Sequence, residues 1–252
     1  MGIQKGALKL RGSHGDFTFT ETTDGFKWKK KRIAVTMDRI NSDPDLAKVK
    51  ANITEFSRAG KGVKLLREIF KGELKFAKDR RLTSRMQTRM LQVVKSDPVN
   101  DRGERLITEG NLSILERLEL NGNAELIRSL PVEMAKSYDR PSGKIEISCP
   151  SFVPAVTLVR APNVTHFMLI CAAAEVDFEN GTYRYVHAET VYIPVDNATI
   201  PPVVLNTALA PASALPVFVV AGIRYAEIVN GFTHPESNGE FNALSLVLVD
   251  KP

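Results

Sequence analysis

No apolar run in these 252 residues approaches the roughly 20 needed to cross a bilayer as a helix. The opening Met1-Gly2-Ile3-Gln4-Lys5-Gly6 also lacks the apolar centre of a secretory signal. Both absences lead us to expect a protein with no membrane span, kept in the cytoplasm or carried in a particle released by lysis. Cysteine is scarce. Cys149 and Cys171 are the only two, and two thiols without a signal predict buried, reduced side chains rather than a disulfide. Without secretion, the sequon-like triplets at Asn52, Asn111, Asn163 and Asn197 carry no meaning.

Clusters that carry chemistry are equally sparse. None of His14, His166, His187 and His234 forms a helical HxxxH pair, and only His187 and Glu189 share a strand face at a ligand-like spacing. A metal or acid/base site there needs a third group from elsewhere, so a hydrogen-bonded strand histidine is expected. Ser57-Arg58-Ala59-Gly60-Lys61-Gly62 invites comparison with a phosphate loop, but it lacks the GxxxxGK[ST] spacing and lies inside a helical pattern. Glu175, Asp177 and Glu179 alternate with Val176 and Phe178; three carboxylates fall short of the six to eight oxygens calcium takes, so solvated strand charges are expected. No catalytic residue, cofactor or metal is therefore predicted, and the chain is not expected to be an enzyme.

What the chain does have is apolar content of 43%, ample for a packed core, and a division of charge. Residues 1–100 carry 23 Lys+Arg against 11 Asp+Glu, while residues 101–252 carry 11 against 18. Opposite halves of this kind suit self-assembly or the holding of a polyanion.

The first 35 residues read as a β-strand arm, with Ala7-Leu8-Lys9-Leu10, Asp16 to Thr20 and Phe26 to Lys29 alternating between Gly-rich turns. So short an arm has too little core to stand alone. Its Phe17, Phe19, Phe26 and Trp28 are the assembly candidates.

Residues 36–100 read as a basic helical segment that begins at Asp43-Pro44, a capping carboxylate followed by a first-turn proline. Apolar residues then recur in steps of three or four from Leu46 through Val49, Ile53, Phe56, Gly60, Val63, Leu66 and Phe70 to Ala77. Gly60 and Gly62 mark either a break or a close helix contact. The phase breaks between Ala77 and Leu82, and Ser96-Asp97-Pro98 stops the second helix, giving a helical hairpin. Its basic stripe, Lys78, Arg80, Arg81, Arg85 and Arg89, is the candidate surface for nucleic acid or another polyanion. No helix-turn-helix, zinc or RNA-recognition signature accompanies it.

Residues 101–252 read as a β-sandwich domain. Runs at 144–149, 156–161, 165–176, 182–193, 217–228 and 241–249 are punctuated by Asn121-Gly122, Arg140 to Gly143, Asn180-Gly181, Asn230-Gly231 and Asn238-Gly239. The prolines between 200 and 216 predict a long exposed loop, and Leu244 to Val249, apolar on both strand faces but for Ser245, predicts an interior strand or a subunit interface. The fold class expected is α+β: an amino-terminal β-arm and helical hairpin followed by an antiparallel sandwich, immunoglobulin-like in the loose architectural sense and without a Trp between its two cysteines.

The chain resembles an uncharacterised family of Bacteroidota proteins. The resemblance is carried by MGIQKGALKLRG and GDFTF at the start, SRAGKGVKLLR at 57–67, SFVPA at 151–155, THFMLICAAAEVDFENGTY at 165–183 and FNALSLVLVD at 241–250. It spans nearly the whole length and implies no activity, cofactor or site residue. The sequence alone thus leads to a noncatalytic, self-assembling structural protein, a coat, tube or filament subunit that forms a homo-oligomer. The alternative is a nucleic-acid-binding protein that uses the basic helices.

Overall fold

Aromatic residues alternating with Thr and Lys build the first sheet. The structure, a computed structural model, describes residues 2–6, 8–31, 35–236 and 239–252, so Ala7 of the first expected strand and Asn238 of the last expected turn lie outside the described residues. Strands β1 (Gly2–Ile3), β2 (Gly12–His14), β3 (Phe17–Thr22) and β4 (Gly25–Lys30) form a four-stranded sheet in the order β1-β4-β3-β2. Leu8, Lys9 and Leu10 are not in a strand, contrary to expectation, because the pairing partner for β3 comes from Gly12–His14 instead. Gly25, at φ +108°, closes the β3–β4 hairpin in a conformation that side chains resist.

Two compact units make up the chain, Met1–Lys50 and Ala51–Pro252. Helix α1 (Met37–Ser42) is capped by Thr36, whose hydroxyl accepts from the Arg39 amide. Asp43 accepts from the Asp45 amide ahead of a 3-10 turn at Pro44–Leu46, as the sequence signals. Helix α2 (Ala47–Ile69) runs unbroken through both glycines. Gly62 is a close contact: a Cβ there would lie 2.6 Å from Ile107 Cδ1.

The expected apolar face of α2 holds only in its second half. Val63, Leu66 and Ile69 are buried, but Val49, Ile53 and Phe56 are exposed, and Glu55 and Ala59 face inward instead. The Glu55 carboxylate accepts from the Gly103 amide at 2.9 Å and stands 3.7 Å from Arg105, so an anchored loop rather than hydrophobicity sets the rotation of the first turns. Short α3 (Lys71–Leu74) and α4 (Leu82–Lys95) follow, and Gln87 Nε2 donates to the Phe56 carbonyl to tie α4 to α2.

Asp97 ends α4 as a buried carboxylate. Its oxygens accept from the amides of Val99, Asn100 and Leu106 and from the Asn100 side chain. Burial pushes the carboxyl up, yet these four donors outweigh it and hold Asp97 down at about 2. Because the folded-state value lies below the unfolded one, the stabilisation is full above about pH 4 and is lost as the pH falls toward 2. Asp97→Ala is expected to cost about 2 kcal/mol at pH 7 and much less at pH 3, measured by urea unfolding at the two pH values.

The second unit also contains β5 (Leu118–Glu119), α5 (Leu126–Ser129), β6 (Ala135–Asp139), β7 (Lys144–Cys149), α6 (Pro154–Thr157), β8 (His166–Asp177), β9 (Thr182–Glu189), β10 (Ile193–Pro194), β11 (Val203–Ala208), β12 (Val217–Val229), β13 (Phe232–Pro235) and β14 (Ala243–Asp250). The larger sheet runs β10-β8-β12-β14-β5, with β9 on β8 and β13 on β12; the smaller runs β11-β7-β6. All pairings are antiparallel.

The fold is α+β, with the two sheets in a sandwich-like arrangement and α2 and α4 covering the other face of the larger one. Phe218, Val220, Leu244 and Leu246 pack with Val63, Met86, Met90 and Val93 of the helices. Val217, Val219, Ala221, Ile223 and Tyr225 pack with Ile145, Ile147 and Leu205 of the smaller sheet. A register shift at Val219/Val220 skips Val247 and inverts the alternation of β14, so Leu246 and Val249 join the helix-side core while Val247 and Leu248 pack on the other.

Two expectations are corrected. Residues 203–208 are a strand rather than loop, since prolines flank the strand and β11 is a terminal strand of its sheet, where they are tolerated. The run at 156–161 is not a strand, because Pro154 opens the short helix α6. The expected turn at Asn121-Gly122 is present: Asn121 Oδ1 accepts from the Asn123 amide, while its wholly buried side-chain amide donates to the carbonyls of Gly239 and Asn242. The division of charge also changes meaning: residues 51–252 carry 23 Lys+Arg and 23 Asp+Glu, so the basic helices and acidic strands offset one another within one unit.

Candidate functional site

The structure gathers the four aromatic assembly candidates on one face of the amino-terminal sheet. Phe19 pairs with Trp28, Phe17 with Lys30 and Glu21 with Phe26 across β3 and β4, so these side chains share a face, and Thr18, Thr20, Lys27 and Lys29 share the opposite one. Phe17 meets Trp28 edge to face at 5.3 Å, and the Trp28 indole occupies the space beside Gly2. Lys9 and Arg11 lie over the Phe26 ring at 5.9 and 5.7 Å, and Arg11 also pairs with Glu21. No residue of these four strands is buried; Phe17 and Trp28 are 38% and 37% exposed.

The basic stripe divides into unequal parts. Arg80, Arg81 and Arg89 are exposed, as is Lys78, which has a partner of its own. Arg85 is half-buried against Asp79. Asp79 also accepts from the amides of Arg81 and Gly122, at 2.7 and 2.9 Å. Burial pushes the Asp79 carboxyl up, but those amides and the Arg85 guanidinium hold it below the usual range. Arg85 is therefore a structural partner of Asp79, while Lys78, Arg80 and Arg81 line a groove of about 720 Å³ together with Arg67, Asn123, Glu240 and an apolar floor of Leu74, Ala77 and Leu82. Sequence spacing did not indicate Arg67, which comes from α2.

A polar cluster missed at the sequence level lies where β9 meets α3. Tyr185 donates to Glu73 Oε1, and His187 stands 3.9 Å from that oxygen and 3.6 Å from Glu189. Burial, then the Glu73 carboxylate, pushes the Tyr185 phenol well up. Arg224 lies flat on Phe76 at 3.7 Å and 3.9 Å from Glu189. His187 Nδ1 lies toward Glu73 and Nε2 toward Glu189, both at distances beyond a hydrogen bond.

Among the described residues no group of three or more His, Cys, Asp or Glu is placed to hold a metal ion. Asp177 instead caps the β8–β9 turn through the amides of Glu179 and Asn180, and Glu175 is buried beside Arg184. Cys149 and Cys171 are free and buried, and burial pushes their thiols up to about 11 and about 12. No helix among the described residues is long and apolar enough to cross a membrane.

No family model matches this chain, and no curated protein does. A solved structure concerned with pH-induced modulation of Streptococcus parasanguinis adhesion by Fap1 fimbriae is similar over 42% of this chain and 72% of its own, at 12% identity and a TM-score of 0.21. At that score it carries no argument about fold or role.

Proposed function

We propose that this protein is a noncatalytic structural subunit of a homo-oligomeric coat, tube or filament, and that its amino-terminal sheet docks on a neighbouring copy. One observation carries the reading: a four-stranded sheet gathers Phe17, Phe19, Phe26 and Trp28 on one face and buries none of them. Fully burying a large aromatic side chain is worth about 1.5–3 kcal/mol, so a shared aromatic face with Phe19 and Phe26 half-buried and Phe17 and Trp28 exposed retains area to bury in a contact. A second copy is the occupant this reading assigns, and charge does not oppose it: residues 1–50 carry 11 Lys+Arg against 6 Asp+Glu, while the larger unit is balanced at 23 against 23. The product would be a cytoplasmic assembly, or a particle released by lysis.

The double substitution Phe17→Ser with Trp28→Ser tests this. Particle mass in light scattering should fall while the melting temperature of the larger unit stays the same. Unchanged particles would remove the aromatic face from the assembly contact.

A further inference from the structure

We propose that the groove formed by Arg67, Lys78, Arg80, Arg81 and Asn123 is a binding site for a phosphate ester carried on a flat or apolar body, whether a free nucleotide or one unit of a single-stranded nucleic acid. The site is separate from the aromatic face and does not depend on the assembly reading.

Its volume, about 720 Å³, falls within the range of small-molecule sites. Arg67 comes from the last turns of α2, and Arg80 and Arg81 from the turn before α4, so three arginines from two separate segments line one concavity. Among the described residues none of the three makes an ion pair with a carboxylate. That is unlike Arg85, Arg105 and Arg140, each of which is committed to an acid. Two acids do reach the groove. Asp79 is held by Arg85 and two amides; counting it and Glu240 against Arg67, Lys78, Arg80 and Arg81, the groove lining carries two more positive than negative groups.

Guanidinium groups suit phosphate because their planar donor forks match two oxygens at once. Leu74, Ala77 and Leu82 supply an apolar floor, which inorganic phosphate alone would not use but a base or sugar ring would cover. The proposed site shares Lys78, Arg80 and Arg81 with the stripe expected from sequence and adds Arg67; Arg85 and Arg89 do not line the groove.

The test is fluorescence anisotropy with a labelled single-stranded oligonucleotide of roughly 12 nucleotides across a salt series, with AMP and ATP as competitors. The full-length Arg67→Gln/Arg80→Gln/Arg81→Gln protein should bind at least about tenfold more weakly, with a salt slope smaller by about 2, since each single-strand phosphate contact contributes about 0.7. Lys64→Gln/Arg89→Gln, which removes two exposed charges from the same helices outside the groove, should stay within about threefold of the parent. AMP or ATP competition would support the site and identify a free nucleotide; competition by polymer alone would support it and identify nucleic acid. Equal losses in the two variants, or no binding of any probe at low salt, would overturn the proposal. Particle mass, read on the same variants, should not change, which separates failure here from failure of the assembly reading.

Discussion

Removing residues 1–36 is expected to leave a folded protein that no longer forms higher oligomers. The four strands belong to the smaller unit, and neither hydrophobic core cluster of residues 51–252 includes any of their residues. The melting temperature should therefore move by no more than about 4 °C, the shift expected for roughly 1 kcal/mol in a domain of this size. Assembly should respond very differently. Losing four aromatic anchors from one interface removes several kcal/mol of contact, enough to lower association by orders of magnitude. Analytical ultracentrifugation of the shortened chain checks both halves of the prediction. A folded protein still in the parent's oligomers would show that the contact lies elsewhere.

Leu246→Asp is expected to abolish soluble, folded protein. Leu246 is 3% exposed and lies in the core shared by the larger sheet and the helices, so the substitution leaves a carboxylate without a partner among apolar side chains. The cost should exceed about 4 kcal/mol, a large part of the stability of an ordinary domain. Val247→Asp is expected to be milder. Val247 is only partly buried and lines an open cleft of about 450 Å³ between β14, β5 and β6, where a carboxylate keeps contact with water and lies near Lys136. Lys136 donates to the Val247 carbonyl, and the Val249 amide donates to Glu116, so side chains already blunt this edge against pairing with another strand. Soluble yield and circular dichroism of the two variants separate these outcomes. Equal loss in both would mean that the cleft is closed in solution.

The strands that carry a strong local pattern were legible in the sequence. β7 matches its predicted bounds, and β8, β12 and β14 match within two residues, because long runs of branched and aromatic residues ended by Asn-Gly leave little choice. Contacts between distant segments were not legible. β11 is hidden by its flanking prolines and is held by pairing with β7, more than 50 residues earlier, and by Leu205 packing between the sheets. The outward turn of Ile53 and Phe56 follows from Glu55 binding a loop 48 residues later in the chain, which helical periodicity does not report. The basic stripe was legible as charge, but the surroundings of its arginines were not. Asp79 precedes the helix and neutralises Arg85, whereas Arg67 joins the groove from α2. Glu73, Tyr185 and Arg224 meet only through the packing of α3 on the sheet, and no short-range signal marks them.

Whether the aromatic sheet joins one copy to the next is read most directly by sedimentation velocity of the full-length protein at micromolar concentration, before and after nuclease treatment. A fast-sedimenting, nuclease-resistant species many times the 27.9 kDa chain mass is expected. A single species of 27.9 kDa, unchanged over a hundredfold range of concentration, would contradict it.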